Sequence, residues 1–174
     1  INYSIKHKKI NYMLGLRVEN SFYTATVTNK ENKHFLYSYP SSMANIFNSL
    51  FPSIFISKKL TEKKEIQFNV TRKINRPNFR QFLPFITASD LKNYSIGNPS
   101  ITPEFINSLE LNYNQYLKRG NFLLTLFFRN SEHVLTQYTY PLSTDSSVLV
   151  TTTINGKQAN SLGIDNTIKH TLFK

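Results

Sequence analysis

The chain has no cysteine and no tryptophan, and its acidic residues number only 10 against 21 lysines and arginines. No apolar stretch approaches the ~20 residues that a membrane-spanning helix needs. Lack of cysteine suits a protein of an oxidising envelope, although cytosolic chains lack it too. Catalytic patterns are equally scarce. There is no Gly-x-Ser-x-Gly elbow and no glycine-rich loop to cradle phosphate, and His7, His34, His133 and His170 show neither i, i+4 nor cysteine-paired metal spacing. Ser131 and His133 are near neighbours, but they fall on the water-facing register with polar loop beyond, which does not build a nucleophile and base. No enzymatic activity, metal or cofactor is expected.

What is present is alternation. In an extended strand every second side chain shares a face. Tyr12, Leu14, Leu16 and Val18 oppose Met13, Gly15, Arg17 and Glu19; Ile66, Phe68 and Val70 oppose Glu65, Gln67, Asn69 and Thr71. Phe105, Leu109, Leu111 and Tyr113 oppose Ser108, Glu110, Asn112 and Asn114, while Phe122, Leu124, Leu126 and Phe128 oppose Thr125, Arg129 and Ser131. Leu162, Ile164 and Ile168 oppose Ser161, Gly163, Asp165, Thr167 and Lys169. The same segments fit helical spacing poorly. A weaker run from Ile54 to Leu60 completes a hairpin before Glu65, and Ile1–Lys6 reads as the end of one more strand. One face of each strand must meet water.

Connections fall into two alternating classes. Around His7–Lys9, Thr61–Lys64 and Lys118–Asn121 they are hairpin turns; around Thr28–Asn45, Gln81–Thr102 and Glu132–Ser146 they are long and rich in Ser, Asn, Thr and Pro. Short turns at one end and long loops at the other distinguish an outer-membrane barrel from a soluble sandwich. The sequence therefore predicts an all-β fold: part of an antiparallel up-and-down transmembrane β-barrel, about seven strands, with short periplasmic turns and long extracellular loops. Residues 1–174 form part of a single barrel domain. The chain begins at Ile1 without a signal peptide and reads as an internal piece of a longer precursor.

The formal charge of +11 would by itself suggest nucleic-acid binding. Its distribution argues against that partner. Lys6, Lys8, Lys9, Lys58, Lys59, Lys63, Lys64, Lys118, Arg119, Lys169 and Lys174 lie at strand ends or in short turns, which the topology gathers at one rim. Such a rim either meets anionic phospholipid headgroups or is simply solvated, keeping edges from pairing. Pro77 and Pro84 mark where the sheet becomes irregular, with Phe79, Phe82 and Phe85 expected to pack against the rim there. Gly97-Asn98-Pro99 reads as a turn with glycine free to take positive φ. Phe22, Tyr23, Tyr113, Tyr116 and Phe173 are candidates for aromatic girdles.

Between Phe51 and Ile168 a resemblance becomes specific. Leu50-Phe51-Pro52-Ser53-Ile54-Phe55-Ile56-Ser57, then Arg72 through Phe85 (RKINRPNFRQFLPF), then Gly97-Asn98-Pro99-Ser100-Ile101-Thr102-Pro103-Glu104 resemble, in order and spacing, successive blocks of TonB-dependent receptor barrels, in particular the outer membrane β-barrel family. Ser108–Tyr113, Asn155-Gly156-Lys157 leading into Ala159–Ile164, and Leu14–Glu19 look like further blocks. The resemblance implies a piece of a 22-stranded barrel closed by an N-terminal plug, importing a scarce ligand with energy delivered through TonB. Plug and TonB box are not among these residues, and the implied partners are outer-membrane lipid, the plug, the remaining barrel strands and TonB.

On this reading Arg17, Glu19, Gln67, Asn69, Thr71, Glu110, Asn112, Asn114, Arg129 and Asp165, with Lys169, line the lumen, where they bond plug, water or passing solute. The competing role for all of them is structural hydration and plug packing. Ligand choice is expected in the long loops, since exposed loops on a rigid scaffold usually carry recognition. Two other readings stay open: a passive porin or structural barrel, and a soluble antiparallel β-binding module with an apolar interior.

Overall fold

The structure, a computed structural model, describes residues 1–19, 23–28, 33–39, 49–88 and 90–171. Phe22, Phe173 and Lys174 lie outside these residues, as does the side chain of Tyr23. In chain order the elements are β1 (Asn2–His7), β2 (Ile10–Val18), β3 (Tyr23–Thr28), β4 (Lys33–Tyr39), β5 (Leu50–Thr61) and β6 (Lys64–Asn75). There follow α1 (Phe79–Phe82), β7 (Ile86–Ala88), β8 (Asn93–Ile96), β9 (Glu104–Leu117), β10 (Gly120–Glu132), β11 (Leu135–Leu142), β12 (Asp145–Asn155) and β13 (Gln158–His170).

Seven of these strands form one antiparallel sheet in the order β1-β2-β5-β6-β9-β10-β13. β5, β6, β9, β10 and β13 run for 12 to 14 residues, beyond the about 9–11 that a tilted barrel strand needs to cross a bilayer. All three expected hairpin turns are present. Each is a two-residue loop, and in the one between β1 and β2 Lys8 takes a φ of 53°, the positive value that favours a match to strand twist.

Register turns the alternation of single strands into rows crossing the whole sheet. Tyr3, Leu14, Ile54, Val70, Leu109, Phe128 and Leu162 are successive cross-strand partners, and so are Ile5, Tyr12, Ile56, Phe68, Leu111, Leu126 and Ile164. Both rows are apolar in every strand. Leu14, Leu109, Leu111, Leu126, Phe128, Leu162 and Ile164 are nonetheless exposed. A continuous apolar face of this extent is an aggregation hazard in water and a favourable surface in hydrocarbon, where each buried CH₂ contributes about 0.8 kcal/mol. The apolar rows therefore face outward.

Close packing occurs instead at one end of the sheet. Phe51, Phe82, Ile101, Phe105, Val148 and Val150 are buried there, where the long connections fold back on the strands. These connections are more ordered than the sequence suggests. The segments 76–103 and 133–157 carry β7, β8, β11 and β12, which pair as a second sheet in the order β11-β12-β8-β7, with β12 and β8 parallel. β3 and β4 pair as a separate hairpin.

Side-chain bonds tie the two connections together. Asn155 Nδ2 donates to the carbonyls of Thr102 (2.9 Å) and His133 (2.8 Å), and its Oδ1 accepts from the Thr102 amide at 2.7 Å. Asn98 Nδ2 donates to the Thr153 carbonyl at 3.1 Å. Asn78 and Gln81 form a reciprocal capping box on α1. Of the three phenylalanines expected to pack at the rim only Phe82 is buried, whereas Phe79 and Phe85 are 65% and 51% exposed.

The Gly97 expectation needs correction. Gly120 is the only glycine with positive φ among the described residues. Gly97 is required for a different reason: its amide donates to the Leu83 carbonyl at 3.0 Å, and a Cβ at this position would overlap that carbonyl and lie 2.7 Å from that of Arg80.

Candidate luminal face and outer cleft

The face opposite the apolar rows holds the residues predicted to line a lumen. Gln67 pairs across the ladder with Asn112, Asn112 with Thr125, and Thr125 with Asp165; Asn69 pairs with Glu110, Thr71 with Ser108, and Ser108 with Arg129. Asn114 lies opposite Glu65. Four neighbouring strands thus gather Gln67, Asn69, Thr71, Glu110, Asn112, Asn114, Arg129 and Asp165 into one patch. Lys169 shares that face further down β13, opposite Asn121.

Within the patch Thr125 Oγ1 donates to Asn112 Oδ1 at 2.7 Å, and the Arg129 guanidinium lies 3.7 Å from Glu110 and 4.8 Å from the centroid of the Phe127 ring. Asn114 Oδ1 is buried without a hydrogen-bond partner. Asp165 is exposed and makes no side-chain hydrogen bond or ion pair among the described residues.

Arg17 and Glu19 are separate from this patch. They sit at the long-connection end of β2, where Glu19 Oε1 accepts a 2.9 Å ion pair from Arg76 and Oε2 lies 3.5 Å from Arg17 without a hydrogen bond. Arg17 also stacks 4.9 Å over the ring of the buried Phe51. Arg76 escaped the alternation argument because it follows the last residue of β6, where strand parity no longer applies. Nor is the polar face uniformly polar. Met13, Phe55 and Phe127 fall on it, and the Phe127 ring occupies the space that a side chain at Gly163 would fill. Strands of this kind admit an occasional apolar residue toward the interior without losing the outward rows.

A second concavity lies in the outer connections. A cavity of about 660 Å³ is walled by Asn78, Arg80, Gln81, Leu83 and Phe85 on the α1 side, Thr87, Ser95, Ile96 and Gly97 along β7 and β8, and Gln137 and Thr151–Thr153 on β11 and β12. Most of the lining residues carry a hydroxyl or a side-chain amide, and Arg80 is the one charged residue among them. None of the residues singled out by alternation lines it. In the same connections, Asp90 and Asp145 are held below the ordinary aspartate value of 3.8, the first mainly by the Asn93 side-chain amide and then the Lys92 amide, the second by the Ser147 amide and side chain.

The model of the outer membrane protein beta-barrel family matches residues 1–174, the whole chain. The chain belongs to that family. Its place is accordingly the outer membrane, and the soluble reading falls with the outward apolar rows. Among solved structures, the siderophore receptor PirA from Pseudomonas aeruginosa superposes over 98% of this chain and 30% of its own, with a TM-score of 0.69 at 16% identity. A double mutant of the Serratia marcescens hemophore receptor HasR, in complex with its hemophore HasA and heme, superposes over 91% of this chain and 28% of its own, with a TM-score of 0.57 at 8% identity. At such identities the likeness is one of fold. The family member described here spans less than a third of either receptor. No curated protein matches the chain.

Proposed function

We infer that residues 1–174 are one part of the barrel domain of a TonB-dependent outer-membrane receptor that imports a scarce ligand. The observation carrying this reading is the seven-strand sheet, apolar on one face and largely polar on the other, in a chain of which 98% superposes on PirA. The polar patch from Gln67 to Asp165, with Arg17 and Glu19 at the mouth, is then where the wall meets a plug, water and passing solute. The outer cleft faces the medium and supports ligand capture. A plug domain, the remaining strands, outer-membrane lipid and TonB are the partners, and the role is transport without catalysis.

Planar-bilayer recording on the full-length protein tests the reading without knowledge of the ligand. A plugged importer carries no steady ionic current, whereas a passive porin or an open structural barrel does. A steady open-channel current in the untreated full-length protein overturns the proposal and installs the porin.

A further inference from the structure

The net charge is concentrated at the turn end of the sheet. Lys6, Lys8, Lys9, Lys58, Lys59, Lys63, Lys64, Lys118, Arg119 and Lys169 lie there against Glu62 and Glu65, so this end carries +8 of the chain's +11. Among the described residues none of these ten cations forms an ion pair; the three ion pairs all involve arginines elsewhere. Short turns face the periplasm in outer-membrane barrels, which sets this end against the phospholipid leaflet.

Register separates the cations that can reach lipid from those that cannot. Lys6, Lys59 and Lys169 share the polar face. Lys58 follows Ile54 and Ile56 on the outward face of β5, and Lys64 continues the outward series Val70, Phe68 and Ile66 on β6. Beside them on the same face, Tyr113 and Phe122 meet edge to face with centroids 6.5 Å apart, and the Tyr113 hydroxyl donates to Gln115 at 3.1 Å. An amphipathic aromatic pair ending an apolar band marks headgroup depth. The lysines therefore begin where the hydrocarbon stops.

At that depth the β5–β6 and β9–β10 turns enclose a groove of about 560 Å³, lined by Thr61, Glu62, Lys63 and Lys64 on one side and Gln115–Lys118 on the other. The Tyr116 amide, donating to the Lys63 carbonyl at 2.8 Å, fixes the two turns together. The geometry points to this groove, flanked by Lys58 and Arg119, as a binding site for the phosphate headgroup of an anionic phospholipid of the periplasmic leaflet. Lys63, Lys64 and Lys118 line the groove against a single acid, Glu62, in the turn, and acyl chains would run up the apolar rows. This inference rests on the membrane orientation of the family and is independent of import.

The test uses the full-length protein in phosphatidylcholine nanodiscs containing a trace of spin-labelled phosphatidylglycerol or spin-labelled phosphatidylcholine. Each cation near an anionic surface is worth about fivefold in binding. The native protein is expected to immobilise the glycerol lipid several-fold more than the choline lipid, with the preference shrinking as salt is added. The variant K63Q/K64Q/K118Q/R119Q is expected to lose the preference, K63R/K64R/K118R to keep it, and K73Q/K92Q/K157Q, altered at the opposite end, to keep it. Heat-modifiable gel migration verifies that each variant barrel is intact. Equal immobilisation of the two lipids by the native protein overturns the inference, and so does an undiminished preference in the glutamine variant.

Discussion

At Gly97 one hydrogen atom in place of a side chain decides whether the outer connection can fold back on itself. A methyl group there would overlap the Leu83 carbonyl and crowd that of Arg80, and neither is the free end of a flexible chain. Gly97→Ala should therefore cost about 1–3 kcal/mol, as overpacking does, and should speed amide exchange across residues 78–97 while leaving that of β9 and β10 unchanged. Asp145 supplies a pH-dependent case. Its carboxylate accepts from the Ser147 amide at 2.9 Å and its pKa is lowered. The lowered folded value means that the contribution is present above the unfolded value, near 3.8, and disappears as pH falls through the folded one. Amide exchange at Ser147, corrected for the intrinsic rate, should accelerate below that range, and Asp145→Asn should abolish the change. At this scale the sequence was informative about which way side chains point, because parity in a strand is strict. It was misleading about why Gly97 is glycine, because the clash is with a carbonyl 14 positions away, which no local pattern encodes.

For single elements, the two faces of β9 make opposite demands on the same substitution. Leu111 sits in an outward row that is apolar in all seven strands, while its neighbour Asn112 accepts from Thr125 on the polar face. In the full-length protein folded into lipid vesicles, Leu111→Arg should lower stability to urea by about 2–4 kcal/mol, the cost of an arginine on the lipid face near the bilayer midplane. Asn112→Arg should cost under about 1 kcal/mol, since it exchanges one hydrated side chain for another. Equal losses would mean that the faces are misassigned. The seven wall strands and their three turns were legible because most of the strands alternate over many residues and each turn is brief. β7, β8, β11 and β12 were not. β7 and β8 have only three and four residues, β11 and β12 are largely Thr, Ser and Tyr without a clear apolar phase, and the β8–β12 pairing joins segments over 50 residues apart. The cleft was illegible for the same reason, since its walls come from stretches far apart in the chain that this pairing and a few side-chain bonds bring together.

The molecule as a whole is governed by two unfinished edges. Among the described strands β1 pairs only with β2, and β13 only with β10. Along β13, which has 13 residues, alternate N–H and C=O groups point away from β10. In water such an edge is hydrated. In hydrocarbon each unpaired group costs several kcal/mol, so a few of them outweigh the few kcal/mol that separate folded from unfolded chains. Leu162, Ile164 and Ile168 on the same strand, 83%, 72% and 68% exposed, keep the edge from moving into water instead. Neither solvent satisfies both the backbone and the side chains of β13, and only further strands do. Residues 1–174 alone, refolded with lipid vesicles, should consequently give multimers or aggregate and no heat-modifiable monomer band, whereas the full-length protein gives one. Adding the missing strands as a separate polypeptide should restore the band, because what the edge requires is a hydrogen-bonding partner and not a covalent connection. A monomeric, heat-modifiable species from residues 1–174 alone would show that these seven strands close on themselves, and the extended wall described here would then be wrong.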